Sequence, residues 1–232
     1  MDHNRYTDGQ YLDNNPTWHV EDSRWKSTEV LKMLNRHQLQ PHSVCEVGCG
    51  AGEILRLMQE NLPDTRFEGW DISPQAMVLA QERSGDRLRF VHGDFLQSED
   101  TYELVMALDV FEHVEDYLGF LRQLNGRGRY TLFHIPLDLS VQAVARGLLM
   151  RWREDVGHLH YFTRELALTA LKETGYEILD AQYTTYAIDR PAPTFKARLA
   201  RKPRRLAFCL APHWTARTLG GFCLMVLTRS SK

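Results

Sequence analysis

The sequence lacks the features that mark disulfide-rich, zinc-binding or membrane-spanning proteins. It has only four cysteines among 232 residues, and none of them forms a C-x-x-C pair. Because each cysteine lies in an apolar segment, we expect buried free thiols and a reducing, cytoplasmic setting. No apolar run approaches the ~18 residues of a membrane span. The polar N-terminus shows no secretory signal.

A strong charge of either sign is also missing. The 28 basic and 30 acidic residues leave a formal net charge of -2, which argues against a chain-wide attraction to nucleic acid. The sequence contains no repeat, low-complexity tract or long linker. With 43% hydrophobic residues, the chain is long enough for a sizeable core, and we expect residues 1–232 to form a single domain.

Apolar runs and helical patterns alternate along the chain. Strands are predicted at 43–48, 66–72, 88–92, 103–108, 130–135, 176–186 and 222–228. Helices are predicted at 21–38, 51–62, 73–85, 115–124, 141–152 and 163–175. This alternation predicts an α/β fold: a doubly wound, seven-stranded, mostly parallel sheet. The last two strands lack β-α-β spacing, which favours an antiparallel edge strand.

A glycine-rich turn after the first strand is the most informative segment. Gly48, Gly50 and Gly52 alternate, so the backbone can adopt positive φ and approach a ligand closely. A dinucleotide site needs G-x-G-x-x-G, but Glu53 occupies the third glycine position, where it would oppose a pyrophosphate. Glu46, just before the turn, suits a cationic or zwitterionic ligand instead.

Acidic residues follow the next two strands. Asp71, followed by Ile72, ends the second strand, where a carboxylate can accept both hydroxyls of a ribose. Asp94 ends the third strand beside Phe95, so an acid and an aromatic ring are available to an adenine. Leu108 ends the fourth strand, where its carbonyl can meet a ligand ammonium. The carboxyl ends of parallel strands meet at one edge, so we expect these positions to form one site.

Together these motifs resemble the class I S-adenosylmethionine-dependent methyltransferases, in particular the small-molecule O-methyltransferases of ubiquinone biosynthesis. The resemblance covers residues 46–52, 71, 93–95, 102–114 and 157–175. It implies a Rossmann-like methyltransferase fold and S-adenosyl-L-methionine as cofactor, with S-adenosyl-L-homocysteine as product. It also implies cofactor contacts from Glu46, Gly48, Gly50, Gly52, Asp71, Ile72, Asp94, Phe95 and Leu108.

Asp109, Glu112 and His113 follow the fourth strand at helical i, i+3 and i+4 spacing. Two carboxylates and an imidazole suit a divalent ion, and a carboxylate can also orient His113 as a base. Some ubiquinone-pathway O-methyltransferases resemble this segment, with an acid-x-x-Glu-His metal cluster whose first acid is Glu. Because Asp109 is shorter, we expect no metal here. A divalent metal bound by this cluster, a base at His113 and a structural helix start stay open as alternatives.

Further candidates lie near the expected acceptor pocket. His134 ends the fifth strand, and His158 and His160 form an H-x-H pair that either serves one site or divides into a structural and a solvated histidine. Our candidate catalytic residues are His113, His134 and His160. By resemblance, the aromatic N-terminal residues Tyr6, Tyr11, Trp18 and His19 fold over the cofactor.

The domain plan follows from these assignments. We expect residues 1–40 to form an N-terminal lid and helix, and residues 41–232 to form the core with acceptor-side insertions around 137–162 and 187–221. A basic run at 196–205 is either a solvated helix face or a contact for an acidic acceptor or anionic membrane.

The predicted function is methyl transfer to a small-molecule acceptor, at oxygen. The alternative is a non-catalytic S-adenosylmethionine-binding module with a regulatory or interaction role. Glu53 disfavours an NAD-dependent oxidoreductase. A nucleic-acid methyltransferase is disfavoured because the sequence after Leu108 lacks the prolines and flat aromatic that hold a flipped base.

Overall fold

A computed structural model describes residue 18 and residues 20–189 and 195–230. The predicted strands are present with small changes at their ends. They are β1 (Ser43–Val47), β2 (Arg66–Asp71), β3 (Leu88–His92), β4 (Tyr102–Leu108), β5 (Gly128–Pro136), β6 (Tyr176–Thr184) and β7 (Cys223–Ser230).

Helices connect these strands on both sides of the sheet. They are α1 (Val20–Arg36), α2 (Glu53–Gln59), α3 (Pro74–Gln81), α4 (Tyr117–Leu124), α5 (Val141–Ala145), α6 (Leu148–Asp155), α7 (Arg164–Glu173), α8 (Tyr186–Asp189), α9 (Phe195–Leu210) and α10 (Pro212–Leu219). Short 3₁₀ turns follow β3 and β4, at Phe95–Gln97 and Phe111–His113. Among the helices described, none is long and apolar enough to cross a membrane.

The strands form one seven-stranded sheet in the order β3-β2-β1-β4-β5-β7-β6. The first five strands of the chain pair in parallel, and β7 pairs antiparallel with both β5 and β6. The predicted α/β sheet and its antiparallel strand are therefore confirmed. The antiparallel strand lies one position in from the edge, and β6 is outermost. Strand order reverses between β1 and β4, which places a cleft at their carboxyl ends.

The core has two halves because side chains alternate across the sheet. Along β4, Val105 and Ala107 pack into one apolar cluster. Leu104, Met106 and Leu108 pack into the cluster on the opposite face. Both sides of β4 are buried, as expected for the middle of a parallel sheet covered by helices. The carboxyl end of β4 is therefore held rigidly beside the cleft.

The predicted helix at 141–152 is wrong as one element, because the chain breaks it into α5 and α6. Gly147 lies between them with φ +63°, a conformation that a continuous right-handed helix excludes. The apolar spacing runs across this glycine, yet Val141, Val144 and Met150 are exposed rather than buried.

The basic run lies on α9, whose described side chains face in different directions. Arg204 turns inward and donates to the carbonyls of Leu219 and Gly220, at 3.2 and 3.0 Å. Lys202 and Arg205 are exposed. A surface contact through this run stays a prediction.

Candidate functional site

The glycine turn between β1 and α2 has the predicted backbone conformation. Gly48, Gly50 and Gly52 have φ values of +72°, +53° and +76°. A Cβ atom at Gly52 would overlap the Phe90 ring, and one at Gly48 would lie 2.8 Å from a Val110 methyl group. At Gly50 the nearest atom belongs to the Trp18 ring, at 3.8 Å. The turn is thus closed at both ends and more open at Gly50.

Asp71 holds this turn against the end of β2. Its Oδ2 accepts a hydrogen bond from the Gly50 amide and its Oδ1 accepts one from the Ser73 amide, both at 2.8 Å. Burial raises the pKa of Asp71, and these amide donors oppose that shift. The two residues singled out as cofactor contacts are therefore in direct contact. Ile72 follows, and its carbonyl accepts a hydrogen bond from His92 Nε2 at 3.1 Å.

Glu46 is a buried carboxyl group at the end of β1. It is 1% exposed, and its Oε2 has no hydrogen-bond partner. Burial raises its pKa to about 8, while the charge of Lys26 opposes the shift and those of Asp71 and Asp109 add to it. A buried carboxyl oxygen without a partner is costly unless a ligand completes it. This site therefore favours a ligand that carries positive charge.

The predicted adenine contacts at the end of β3 differ from each other in exposure. Asp94 is exposed, and its Oδ1 accepts from the Leu96 amide at 2.9 Å. Phe95 is 1% exposed. The centroid of its ring lies 5.7 Å from that of Trp70 and 6.1 Å from that of Tyr102. Phe95 thus packs in the core, and of this pair only Asp94 faces solvent. Leu108 is 5% exposed at the end of β4.

Asp109 is the centre of a polar network after β4. Its φ is +56°, and its two oxygens contact Lys26 Nζ and His134 Nδ1, both at 2.6 Å. Burial would raise the pKa of Asp109, but the charges of His134 and Lys26 hold it well below its usual range. For Lys26, burial is outweighed by Asp109, so its pKa is raised. The carboxylate of Asp109 is therefore committed to these two partners.

His134 was predicted to face the acceptor, but its position is internal. It is 1% exposed, and its Nε2 lies 2.9 Å from Thr184 Oγ1 on β6. A carboxylate only accepts, so Nδ1 carries a proton toward Asp109, while Nε2 is hydrogen-bonded to the Thr184 hydroxyl. With both nitrogens engaged inside the protein, His134 is placed to position Asp109 rather than to contact an acceptor.

Glu112 and His113 are brought together with His158 rather than with Asp109. One ligand atom from each of these three residues lies within 4.8 Å of the others. His113 Nε2 is 3.9 Å from Glu112 Oε1, and the two histidine rings meet edge to face with centroids 4.8 Å apart. Burial first, and then the charge of Asp109, raise the pKa of Glu112.

The H-x-H pair is divided between two environments. His158 Nδ1 lies 2.6 Å from Asp138 Oδ2, beside the Glu112 cluster. His160 Nε2 instead donates to the carbonyls of Val114 and Glu115, at 3.0 and 3.1 Å. The Nε2 of His160 is thus bound to backbone, which favours a structural role for this candidate.

Helix α1 contributes Lys26, which was not among the residues predicted from the sequence. Asp22, Ser23 and Ser27 are buried with Val30, Met33 and Leu34, so the inward face of α1 is polar in its first half. Lys26 lies in this half. The polar residues in line with an apolar stripe were the signal for it. Of the predicted lid aromatics, Trp18 lies over Gly50; Tyr6, Tyr11 and His19 are outside the described residues.

Residues 18–181 match a protein family described as a methyltransferase domain. The chain belongs to this family. The predicted class I S-adenosylmethionine-dependent methyltransferase is therefore confirmed, together with its cofactor.

The names of the relatives of this methyltransferase indicate that those relatives act on varied compounds. It is 26% identical to trans-aconitate 2-methyltransferase of Mycolicibacterium gilvum over 63% of this chain and 62% of that one. It is 28% identical to malonyl-[acyl-carrier protein] O-methyltransferase 1 of Ilyobacter polytropus over 41% of this chain and 37% of the relative. The methyltransferase spans 37%, 35% and 52% of the first curated relatives that it matches.

Solved structures share the fold at low identity. The magnesium protoporphyrin IX methyltransferase of Synechocystis PCC 6803, with bound SAH, gives a TM-score of 0.61 at 16% identity, covering 89% of this chain and 82% of that one. The N-methyltransferase NodS of Bradyrhizobium japonicum WM9, in complex with S-adenosyl-l-homocysteine, gives 0.59 at 16% identity, covering 90% and 87%.

The residues of this methyltransferase fit the cofactor. S-adenosylmethionine carries a sulfonium and an ammonium, and the buried, unpartnered oxygen of Glu46 suits such positive charge. The backbone at Gly50 has open space beside it, and the carboxylate of Asp71 lies next to this space at the end of β2, where ribose hydroxyls would be expected. Trp18 covers this place from the side of α1.

Proposed function

We propose that this chain transfers the methyl group of S-adenosylmethionine to an oxygen atom of a small-molecule acceptor. The observation that carries the proposal is the Glu46 carboxyl. It is buried and incompletely bonded beside a glycine turn that Asp71 anchors. A cationic ligand that also presents hydroxyl groups satisfies both carboxyls at once.

Methyl transfer requires alignment of the two reactants more than chemical activation of either one. The sulfonium methyl is already electrophilic, so an acceptor held in line with it at close range reacts with little further help. Glu46, the glycine turn and Asp71 would fix the cofactor at the ends of β1 and β2. The acceptor would then enter from the ends of β4 and β5, where Glu112, His113 and His158 lie. A cleft at the reversal of strand order is the usual place for such a reaction.

Two considerations support oxygen as the methylated atom. The malonyl-[acyl-carrier protein] relatives are named as O-methyltransferases. The acceptor side also carries imidazole and carboxyl groups rather than a purely apolar wall: His113, His158 and Asp138 are half-buried there. Such groups can hydrogen-bond an acceptor hydroxyl or carboxyl and take up its proton.

The test combines cofactor binding with turnover. Calorimetry should show that Asp71→Ala weakens S-adenosylmethionine binding by at least about 10-fold, because a ribose would lose its acceptor and the turn its anchor. The matched control is Asp86→Ala, which removes an exposed carboxyl just before β3, at the far edge of the sheet. Unchanged affinity in Asp71→Ala would refute the cofactor site.

Turnover is measured with methyl-labelled S-adenosylmethionine and a panel of hydroxy, carboxy and amino compounds. We expect label in an oxygen-bearing acceptor, with the position identified by NMR and mass spectrometry. Label on nitrogen alone would contradict the oxygen assignment. Tight cofactor binding without transfer to any acceptor would favour the non-catalytic module.

A further inference from the structure

We propose that Glu112, His113 and His158 form a binding site for a divalent transition-metal ion, with Asp109 outside the ligand set. This departs from the expectation of no metal drawn from the sequence. Metal binding itself does not depend on the proposed methyl transfer. Only the use of the bound metal ion toward an acceptor rests on the proposed function.

The three side chains are close enough to share an ion. Their ligand atoms lie within 4.8 Å of one another, and His113 Nε2 is 3.9 Å from Glu112 Oε1. Two ligands bound at ~2.1 Å to one zinc-sized ion lie at most ~4.2 Å apart. Side-chain rotations that move each ligand atom by less than about 1 Å would therefore bring all three within bonding distance of one ion.

Both histidines are oriented as metal ligands usually are. His113 Nδ1 lies 3.1 Å from the Gly157 carbonyl, and His158 Nδ1 lies 2.6 Å from Asp138 Oδ2. A carbonyl and a carboxylate only accept, so Nδ1 is a protonated nitrogen in each ring and Nε2 is the nitrogen through which each would bind an ion. A carbonyl or carboxylate behind the far nitrogen fixes the tautomer and raises ligand basicity.

Glu112 supplies the second, independent observation. Its side chain is 0% exposed, and neither of its oxygens has a hydrogen-bond partner. A buried carboxylate without donors is unfavourable unless a cation is bound to it. The backbone also preassembles the site, because the Glu112 carbonyl accepts from the amides of Leu159 and His160, at 2.8 and 3.0 Å. The segments that carry the ligands are thus joined without the ion.

Asp109 is excluded because its oxygens are already used. Each of them is 2.6 Å from another charged or imidazole nitrogen, on Lys26 and His134. A ligand role would break both contacts and leave Lys26 buried without its partner. The ligand set therefore uses His158, from the loop after α6, in place of the first acid of the 109–113 segment.

Two imidazoles and one carboxylate favour zinc, iron(II) or cobalt over calcium or magnesium. Three protein ligands leave at least one position for an exogenous oxygen, as in catalytic zinc sites. A bound ion lowers the pKa of an oxygen ligand, which would assist loss of the proton from an acceptor hydroxyl. This last consequence rests on the proposed function.

The test uses Co²⁺ as a probe on the full chain after removal of metals with a chelator. We expect one ion per chain by calorimetry, and the visible absorption of Co²⁺ bound to nitrogen and oxygen ligands. S-adenosylmethionine and acceptor are absent from this titration, so its result does not depend on catalysis. Absence of stoichiometric binding to the folded chain would overturn the proposal.

Variants then identify the ligands. His158→Ala should lower Co²⁺ affinity by at least about 100-fold, and Asp138→Asn by about 10- to 100-fold through the orientation of His158. The control His160→Ala changes a histidine of the same loop that contacts backbone carbonyls, and it should bind Co²⁺ normally. Wild-type affinity in folded His158→Ala would exclude this residue as a ligand.

His158→Cys decides the ligand assignment directly, whatever the stability of the alanine variant. A thiolate at this position should add a sulfur-to-Co²⁺ charge-transfer band that the wild-type protein does not show. A purely structural role for His158 would not produce it. Bound Co²⁺ without such a band would place His158 outside the site and overturn the proposed set.

Discussion

At the residue scale, the buried environment of Glu46 predicts that cofactor binding is coupled to the release of a proton. Its pKa of about 8 means that the carboxyl is mostly protonated at pH 7 in the free protein. A cationic ligand favours the ionised form and lowers that pKa. Binding should therefore release close to one proton at pH 7, and progressively fewer as the pH rises above 8, where the carboxyl is already ionised.

Calorimetry in buffers of different ionisation enthalpy measures this release. Glu46→Gln keeps the size of the side chain but cannot titrate, so its binding should be weaker and free of the proton release. If Glu46→Gln released protons as the wild-type protein does, another group would be responsible and the role given to Glu46 would be wrong.

The sequence singled out Glu46 as a candidate because it lies just before the glycine turn. It was insufficient to describe the carboxyl, because its state depends on Lys26, which lies 20 residues earlier on α1. The same holds for His134. Its place near the end of β5 predicted a site residue, but Thr184, 50 residues later, is hydrogen-bonded to its second nitrogen.

At the element scale, α1 is attached to the sheet by charge as well as by apolar packing. Val30, Met33 and Leu34 pack into the core from its second half. In its first half, Lys26 reaches Asp109 at 2.6 Å, with side chains 15% and 24% exposed. Removing one member of a largely buried ion pair leaves the other without compensation.

We therefore expect Lys26→Met to lower the free energy of unfolding by about 3 kcal/mol, measured by urea denaturation. Lys32→Met is the matched control, because Lys32 is on the same helix, is 67% exposed and pairs with Glu29 three residues earlier. Its loss should stay below about 1 kcal/mol. Equal effects of the two substitutions would contradict a structural role for the Lys26–Asp109 pair.

Elements were predictable where two signals coincided. Helix α3 begins at Pro74 with Ser73 as its cap, as expected from a capping serine followed by proline. Helices α5 and α6 had periodicity alone, and the glycine between them carried more weight than the pattern. Apolar periodicity indicates a buried face only when something covers it, and Val141 and Val144 remain 66% and 58% exposed.

At the scale of the whole molecule, the cleft follows from topology. Parallel strands with an order that reverses between β1 and β4 fix where a ligand binds, and that could be predicted from the alternation of strands and helices. Which side chains meet at the cleft could not be predicted in this way. The joining of Glu112 to His158 depends on a loop that returns after two short helices, and such non-local contacts leave no periodic trace in the sequence.

The fold as a whole should respond to the cofactor product and not to a dinucleotide. Ligand at 100 times its Kd adds about 2.7 kcal/mol to the free energy of unfolding. For a domain of this size that corresponds to a rise in Tm of about 5–10 °C with S-adenosylhomocysteine. Differential scanning calorimetry across a concentration series measures it.

NAD⁺ is the matched ligand, since it shares the adenosine but carries a pyrophosphate. Glu53 opens α2, where a dinucleotide fold presents free backbone amides to that group. Arg56, and after it Arg83, hold the pKa of Glu53 below its usual value, so a carboxylate persists at this helix start. Its contacts with Arg56 Nη2 and Arg83 Nε, each 2.8 Å, hold the carboxylate in place. We expect no rise in Tm with NAD⁺, and a rise equal to that with S-adenosylhomocysteine would show that Glu53 does not discriminate between them.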